Sequence, residues 1–148
     1  MSEPPATHVT GTPFQVAIDC HDPHLLAAFW AAVLHLEVED HDAGIRELRA
    51  QGVAPPEEIM ERDGRLAWRT AAACRSGDGR TRLLFQQVPE AKTTKNRLHL
   101  DVLVGEGQCD AEVARLIALG AQRLWDGQQG SHRWVTLADP EGNEFCVG

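Results

Sequence analysis

The chain has 148 residues, of which 43% are hydrophobic and 24% are charged, and its formal net charge is −8. This size and composition are typical of one globular domain with a full hydrophobic core. The acidic balance and the lack of Lys and Arg clusters argue against nucleic-acid binding, and no apolar run approaches the roughly 20 residues of a membrane helix. The N-terminal residues lack the basic and apolar regions of a signal peptide, so we expect a cytoplasmic location.

The first part of the chain predicts a strand, a helix and a second strand. Residues 1–13 contain several prolines and predict a flexible arm. Residues 14–20 alternate between apolar and polar side chains, which is typical of a half-buried strand. The pair Asp22-Pro23 then supplies a helix cap and a first-turn proline, and an apolar stripe predicts a helix over 23–34. A short strand is predicted at 36–39.

The pattern changes after this strand. Residues 41–65 contain a short predicted helix, 43–50, followed by prolines and many charges, and are interpreted as an insertion. Two strands follow, at 66–74 and 83–88, with a hairpin turn at 76–79 between them. The first half therefore has the order β-α-β-insertion-β-β.

The second half repeats this order without an insertion. After a polar connection, the pattern predicts strands at 97–104, 121–125, 132–138 and 144–147, and a helix at 109–119. The fold class predicted is α+β, with one β-α-β-β-β unit used twice. Each helix would cover the apolar face of a small sheet, and the opposite faces would be free to form a cleft.

The closing segment carries both turn chemistry and an unusual strand. Asp139-Pro140-Glu141-Gly142 is typical of a tight turn. In the strand that follows, Phe145 and Val147 share one face, and Glu144 and Cys146 share the other. A carboxylate and a thiol on the free face indicate either the wall of a cavity or, for Glu144, simple exposure to water.

Four cysteines, Cys20, Cys74, Cys109 and Cys146, lack the C-x-x-C spacing of a zinc knuckle or a thioredoxin-like site. We therefore expect free thiols. Cys20, on the apolar face of the first strand, is expected to be a small buried hydrophobic residue.

Three segments of the repeated pattern resemble the vicinal oxygen chelate superfamily, which includes glyoxalase I, bleomycin-resistance proteins and extradiol dioxygenases. They are the helix segment 29–34, the link formed by 85–90 and 95–101, which is similar to that of actinobacterial glyoxalase-like proteins, and the closing segment 139–146. His35 departs from the glycine that usually follows the first helix.

The resemblance implies a single glyoxalase-like domain over 14–148. Its first module would span 14–88, with the insertion at about 41–65, and its second module would span 97–148. Two curled sheets would then form a shared cleft that binds a small molecule.

The resemblance also implies a place for a divalent metal in this cleft. Carried over to this sequence, the ligand positions are Gln15, Gln86, His99 and Cys146, and Glu144 lies on the same face as Cys146. Metal-using relatives place carboxylates where Gln86 and Cys146 stand here. Two neutral amides attract a hard dication weakly, and zinc would need a third strong ligand besides His99 and Cys146. A divalent metal is therefore possible but disfavoured.

Two further features of the predicted cleft have alternative interpretations. His99 and Asp101 lie two residues apart on a strand and point to the same face. They could act as a catalytic base with its orienting group, or as a structural polar pair. Trp68 could stack on a flat ligand or pack at the rim of the cleft.

Three functions remain open from the sequence. The first is a metal-independent small-molecule binder that uses Gln15, Trp68, Gln86, His99, Glu144 and Cys146. The second is a metal-dependent lyase, isomerase or dioxygenase that acts on a substrate with vicinal oxygens. The third is a non-catalytic dimerisation module, since members of the superfamily often form homodimers.

Overall fold

The computed structural model describes residues 11–105 and 107–148. Residues 1–10 of the expected flexible arm lie outside this part. The helices and strands are, in chain order, β1 (Val16–Cys20), α1 (Pro23–Leu34), β2 (Glu37–Val38), α2 (Asp42–Ala50), a 3-10 turn (Pro56–Glu58), β3 (Ile59–Arg62), β4 (Arg65–Trp68), β5 (Ala71–Arg75), β6 (Arg82–Gln87), β7 (Asp101–Val102), α3 (Cys109–Ala118), β8 (Gln122–Gln129), β9 (His132–Ala138) and β10 (Glu144–Val147).

Two four-stranded sheets have the same topology. Sheet one has the order β1-β6-β5-β2, and sheet two has the order β7-β10-β9-β8. In each sheet the first and last strands of the module pair in parallel, and the other pairs are antiparallel. The predicted α+β class with paired β-α-β-β-β modules is confirmed.

The two sheets share one hydrophobic core on their helix-covered faces. Residues from both modules form a single buried cluster, in which the ring of Trp30 lies 4.9 Å from that of Phe145. On β1, Val16, Ile18 and Cys20 face this core, in agreement with the predicted alternation. The opposite face of each sheet is left free of helices and is available for a site.

Helix α1 begins and ends where the sequence predicts. The side chain of Asp22 accepts hydrogen bonds from the amides of His24 and Leu25 at 3.1 and 3.0 Å. His35 adopts the left-handed conformation (φ 54°) that ends the helix. Not every leucine of this helix is buried, since Leu25 is 46% exposed.

The insertion folds into α2 and the β3–β4 hairpin, which have a small core of their own. This core contains Ile45, Ala54, Ile59 and Leu66. The predicted continuous strand at 66–74 is wrong, because the chain leaves the hairpin after Trp68 and joins sheet one at Ala71.

Arg69 provides the physical reason for this break. Its backbone amide donates to Glu58 O, and its guanidinium donates to the carbonyl oxygens of Glu57 and Ile59. These bonds hold the chain against the hairpin and prevent it from continuing straight into sheet one.

Two boundaries in the second module also differ from the prediction. The strand expected at 97–104 is regular only over Asp101–Val102, although its backbone hydrogen bonds to Cys146 and Gly148 extend from Leu100 to Val104. Leu98 is 72% exposed. Residues 126–129, which lie between the strands predicted at 121–125 and 132–138, extend β8 because they pair with β9, and the chain turns at Gly130 (φ 59°).

The turn before β10 links the two modules by hydrogen bonds. The buried carboxylate of Asp139 accepts hydrogen bonds from Trp30 Nε1 of α1 at 3.2 Å and from the amides of Glu141 and Asn143 at 2.9 and 3.0 Å. The Glu141 carboxylate in turn accepts from the amide of Asp22 at 2.8 Å. The motif Asp139-Pro140-Glu141-Gly142-Asn143 thus joins β10 to the beginning of α1. No helix in the described part of the chain is long and apolar enough to cross a membrane.

Candidate functional site

The free face of sheet two is formed by alternate residues of its strands. Phe145 and Val147 of β10 point into the core, so Glu144 and Cys146 point away from it. Cys146 pairs with Thr136 of β9 on one side and with Asp101 of β7 on the other. Backbone bonds from Cys146 to Leu100 and from Gly148 to Val102 fix the position of the segment that carries His99 and Asp101.

A cavity of about 350 Å³ lies against this free face. Its lining includes an aromatic part and a polar part, together with Leu103, Phe145 and Gly148. The aromatic part consists of Trp125, His132 and Trp134, and the rings of His132 and Trp134 lie 5.6 Å apart with an angle of 30° between them. The polar part is lined by Lys95, His99, Asp101, Thr136, Glu144 and Cys146.

Gly127 allows Trp134 to lie across the neighbouring strand. The two residues are directly paired between β8 and β9. A β carbon on Gly127 would overlap the indole ring of Trp134. Glycine at this position therefore lets the indole lie over β8 and form part of the cavity wall.

His99 and Asp101 form a hydrogen-bonded pair at the polar end. His99 Nδ1 lies 2.9 Å from Asp101 Oδ1, and the two side chains are 41% and 58% exposed. In a neutral imidazole whose Nδ1–H donates to Asp101, Nε2 carries a free lone pair. The pair thus has the orientation required of a general base, a role that the sequence also suggests.

Cys146 lies beside this pair. Burial is the main cause that raises the pKa of the Cys146 thiol; the hydrogen bond with Thr136 lowers it, and the charge of Asp101 raises it further. The Thr136 hydroxyl lies 3.6 Å from the sulfur. One donor atom from each of His99, Asp101 and Cys146 falls within 4.8 Å of the others.

The Glu144 carboxylate is bound by residues of the segment that connects the two modules. Its carboxylate accepts from the amide of Asn96 at 3.0 Å and forms an ion pair with Lys92 at 3.1 Å. Burial raises the pKa of Glu144, but these hydrogen bonds outweigh that effect and leave the pKa below its usual value. Glu144 therefore lines the cavity as an anion that is already paired.

The remaining predicted site residues lie elsewhere. Gln15 accepts a hydrogen bond from Arg82 at 2.5 Å, and Arg82 also forms an ion pair with Glu39 at 2.7 Å. Gln86 is exposed on the free face of sheet one, and neither glutamine lines the aromatic cavity. Trp68 lines a separate cavity of about 320 Å³ between the hairpin and sheet one.

The structure thus brings together four predicted residues and separates three others from them. His99, Asp101, Glu144 and Cys146 line one cavity, whereas Gln15, Trp68 and Gln86 do not line it. Trp125, His132, Trp134 and Thr136 are absent from the predicted ligand-binding set. The period-2 pattern of residues 132, 134 and 136 is the signal that places the last three on one face.

A family model described as a glyoxalase-like domain matches residues 15–148. The chain belongs to the glyoxalase-like domain family. No curated protein sequence matches the chain significantly.

Solved structures show the same fold at low sequence identity. A glyoxalase/bleomycin resistance protein/dioxygenase family enzyme from Burkholderia phytofirmans is 17% identical, with a TM-score of 0.58, and the match covers 90% of this chain and 94% of that chain. A glyoxalase/dioxygenase from Nostoc punctiforme is 19% identical, with a TM-score of 0.58 and coverages of 99% and 96%. The fosfomycin resistance protein FosX from Listeria monocytogenes, complexed with Mn(II) and sulfate, is 9% identical, with a TM-score of 0.59 and coverages of 94% and 90%.

Two of the metal positions implied by the superfamily, Gln15 and Gln86, do not line the cavity that is lined by His99 and Cys146. Gln15 is held by Arg82, and Gln86 lies on the free face of the other sheet. The donor atoms that do meet are the imidazole, carboxylate and thiol of His99, Asp101 and Cys146. Nitrogen and sulfur donors fit zinc or a similar borderline ion better than they fit Mg²⁺, Ca²⁺ or Mn²⁺.

Proposed function

We propose that the protein binds a small, flat organic molecule in the cavity on the free face of sheet two. The observation that carries this proposal is the composition of the cavity wall, which combines the aromatic side chains of Trp125, His132 and Trp134 with several polar side chains. Cavities with aromatic walls and a few convergent polar groups are typical small-molecule sites. The aromatic side chains would contact the ring of the ligand, and the polar end would hold its substituent.

The charges at the polar end favour an anionic substituent. Asp101 is already paired with His99, and Glu144 is already paired with Lys92 and Asn96. Lys95 also lines the cavity, and its positive charge acts on Cys146. A carboxylate on the ligand would therefore meet Lys95 and the imidazole rather than a free acidic group.

Titration with 2-naphthoate, followed by NMR of the four tryptophan indole N–H groups, tests this proposal. Each signal can be assigned from a Trp→Phe variant. We expect 2-naphthoate to shift the signals of Trp125 and Trp134. The signal of Trp30, in the core, and that of Trp68, in the other cavity, should not move.

Matched variants sharpen this experiment. Trp134→Leu should weaken binding of 2-naphthoate, whereas Trp68→Leu should leave it unchanged. The neutral analogue 2-naphthamide should bind more weakly than 2-naphthoate if Lys95 holds the carboxylate. Shifts confined to Trp68, or none up to the solubility limit of the probe, would contradict the proposal.

A second candidate function is catalysis with His99 as general base. It is favoured by the 2.9 Å contact between His99 and Asp101, which would orient the free ring nitrogen toward a bound substrate. Nitrogen-15 NMR of the metal-free protein should then show the tautomer protonated at Nδ1, and Asp101→Asn should change the tautomer ratio. The opposite tautomer in the unmodified protein would exclude this role. The cavity gives no specific support to the alternative of a purely structural dimerisation module.

A further inference from the structure

We infer that His99, Asp101 and Cys146 bind a thiophilic divalent cation such as Zn²⁺ within the second module. This inference deepens the proposed function, because the cation would lie at the polar end of the same cavity. Its ligand set differs from the one implied by the superfamily, which spans both modules. Asp101 replaces the two glutamines as the third ligand, and no residue of the first module takes part.

The distances require only a small adjustment. Zinc bound by sulfur at about 2.3 Å and by nitrogen or oxygen at about 2.1 Å in a tetrahedron separates its ligand atoms by about 3.3–3.6 Å. In the structure one donor atom from each of the three residues lies within 4.8 Å of the others. Atoms at this limit would have to approach by about 1.2–1.5 Å, whereas His99 Nδ1 and Asp101 Oδ1, which are 2.9 Å apart, would have to separate slightly if both bind the cation. Rotation of the exposed His99 and Asp101 side chains allows both changes.

The strand pairing keeps two of the ligands in place. Asp101 and Cys146 are direct partners in the parallel pair β7–β10, so their side chains lie side by side on the free face. The equivalent parallel pair of the first module places Asp19 opposite Gln86. A carboxylate is thus present in both modules, but a thiol beside it occurs only in the second of these two pairs.

The surroundings of the ligands fit a metal centre. The Thr136 hydroxyl lies 3.6 Å from Cys146 Sγ and is 3% exposed, so it can donate to a thiolate and stabilise it. Such partners outside the ligand shell typically change metal affinity by about 10–100-fold. The three donor residues line the cavity, so water or a bound molecule could complete the coordination of the cation from that side.

Binding of the cation has a simple proton balance. The Cys146 thiol loses its proton to the buffer as the sulfur–metal bond forms. If the proton lies on His99 Nδ1, where it joins the ring to Asp101, it moves to Nε2 when Nδ1 becomes a ligand. The imidazole stays neutral, the carboxylate stays ionised, and no oxidant or reductant is involved.

Titration of the full-length, chelator-treated and reduced protein with Co²⁺ alone tests the inference. A cobalt–thiolate bond gives a near-ultraviolet charge-transfer band, and a four-coordinate centre gives intense visible bands. We expect both to saturate at one Co²⁺ per chain and to disappear when Zn²⁺ is added. Absence of the charge-transfer band would overturn the inference.

Variants assign the ligands. Cys146→Ser should abolish the charge-transfer band, and His99→Ala and Asp101→Asn should each weaken Co²⁺ binding at least about tenfold, since loss of an outer partner alone reaches that range. Cys109→Ser and Asp19→Asn are matched controls and should bind Co²⁺ normally. Circular dichroism confirms that each variant folds. A band that survives Cys146→Ser or is lost in Cys109→Ser would overturn the assignment.

The metal site and the proposed binding of a small molecule can each fail while the other holds. Failure of Co²⁺ binding, with 2-naphthoate still shifting the signals of Trp125 and Trp134 in chelator, would overturn the metal site and leave the proposed function intact. Saturable Co²⁺ binding without any effect of 2-naphthoate would overturn the proposed function and leave the metal site intact.

Discussion

Replacing Asp139 with alanine should strongly destabilise the protein, although Asp139 lies outside the cavity. The carboxylate is 4% exposed and accepts hydrogen bonds from Trp30 in the first module and from the turn of the second module. Alanine would remove these acceptors at once. The indole N–H of Trp30, a residue that is itself only 2% exposed, would be left buried without a partner.

The magnitude follows from the donors left without a partner. A buried unpaired donor costs about 1–3 kcal/mol, and the buried indole belongs near the upper end of that range. The amides of Glu141 and Asn143 are only partly buried, so water can reach them, and each contributes about 1 kcal/mol. Asp139→Ala should therefore lower the free energy of unfolding by about 3–5 kcal/mol.

Urea denaturation of Asp139→Ala, Trp30→Phe and the double variant measures this effect. Trp30→Phe should cost about 1–2 kcal/mol, because the other bonds of Asp139 remain. The double variant should be more stable than the sum of the single effects predicts, since both changes remove the same bond. If Asp139→Ala does not fold, the cost of Trp30→Phe still tests the argument. A loss below about 1 kcal/mol in Asp139→Ala, or strict additivity, would refute it.

Two further predictions concern the pH dependence of stability and the shape of the cavity. The hydrogen bond and charge of Arg82 lower the pKa of Glu39 in the folded protein. The ionised carboxylate therefore stabilises the fold above its unfolded pKa of about 4.3, and this contribution is lost as the pH falls through its pKa in the folded protein. Urea unfolding between about pH 5 and pH 3 should thus show a smaller loss in Glu39→Gln than in the unmodified protein, and an equal loss would contradict this. Gly127→Ala should displace the Trp134 indole and weaken 2-naphthoate binding by up to about tenfold, since aromatic pairs contribute about 0.5–1.5 kcal/mol. Gly44→Ala, whose added carbon would contact nothing, should bind normally, and normal binding by Gly127→Ala would contradict the role of Trp134.

The parts of the fold that the sequence predicts well are those encoded locally. Asp22-Pro23 carries the start of α1 in adjacent residues, and the structure shows that cap. The alternation in β1 and β10 depends only on neighbouring side chains and is also present. The repeat of these local signals was sufficient to predict the α+β class and the paired modules. The superfamily was predicted from the resemblance of three segments, and the family model agrees with it.

The parts that differ from the prediction depend on distant partners. The break between β4 and β5 follows from bonds of Arg69 to Glu57, Glu58 and Ile59, which no pattern within 66–74 reveals. The extension of β8 through 126–129 depends likewise on pairing with β9, which overrides the weak strand preference of Asp126 and Gly127.

The same distinction holds for the candidate site. The spacing of His99 and Asp101 places them on one face, and the structure joins them by a hydrogen bond. The meeting of Asp101 with Cys146 instead requires the parallel register of two strands that are 45 residues apart in the chain. The sequence could therefore suggest an orienting role for Asp101, but not its place beside the thiol.

The comparison of the two modules within one chain suggests a division of roles. On the free face of sheet one, Arg82 links Gln15 to Glu39, so polar groups there satisfy one another. On the free face of sheet two, the Trp134 indole and the Cys146 thiol instead border an open cavity. Saturated polar groups stabilise a surface, whereas a cavity with convergent donors can be filled by a ligand. Of the predicted site residues, all those that line the aromatic cavity belong to the second module, whereas Trp68 of the first module lines the separate cavity beside the hairpin.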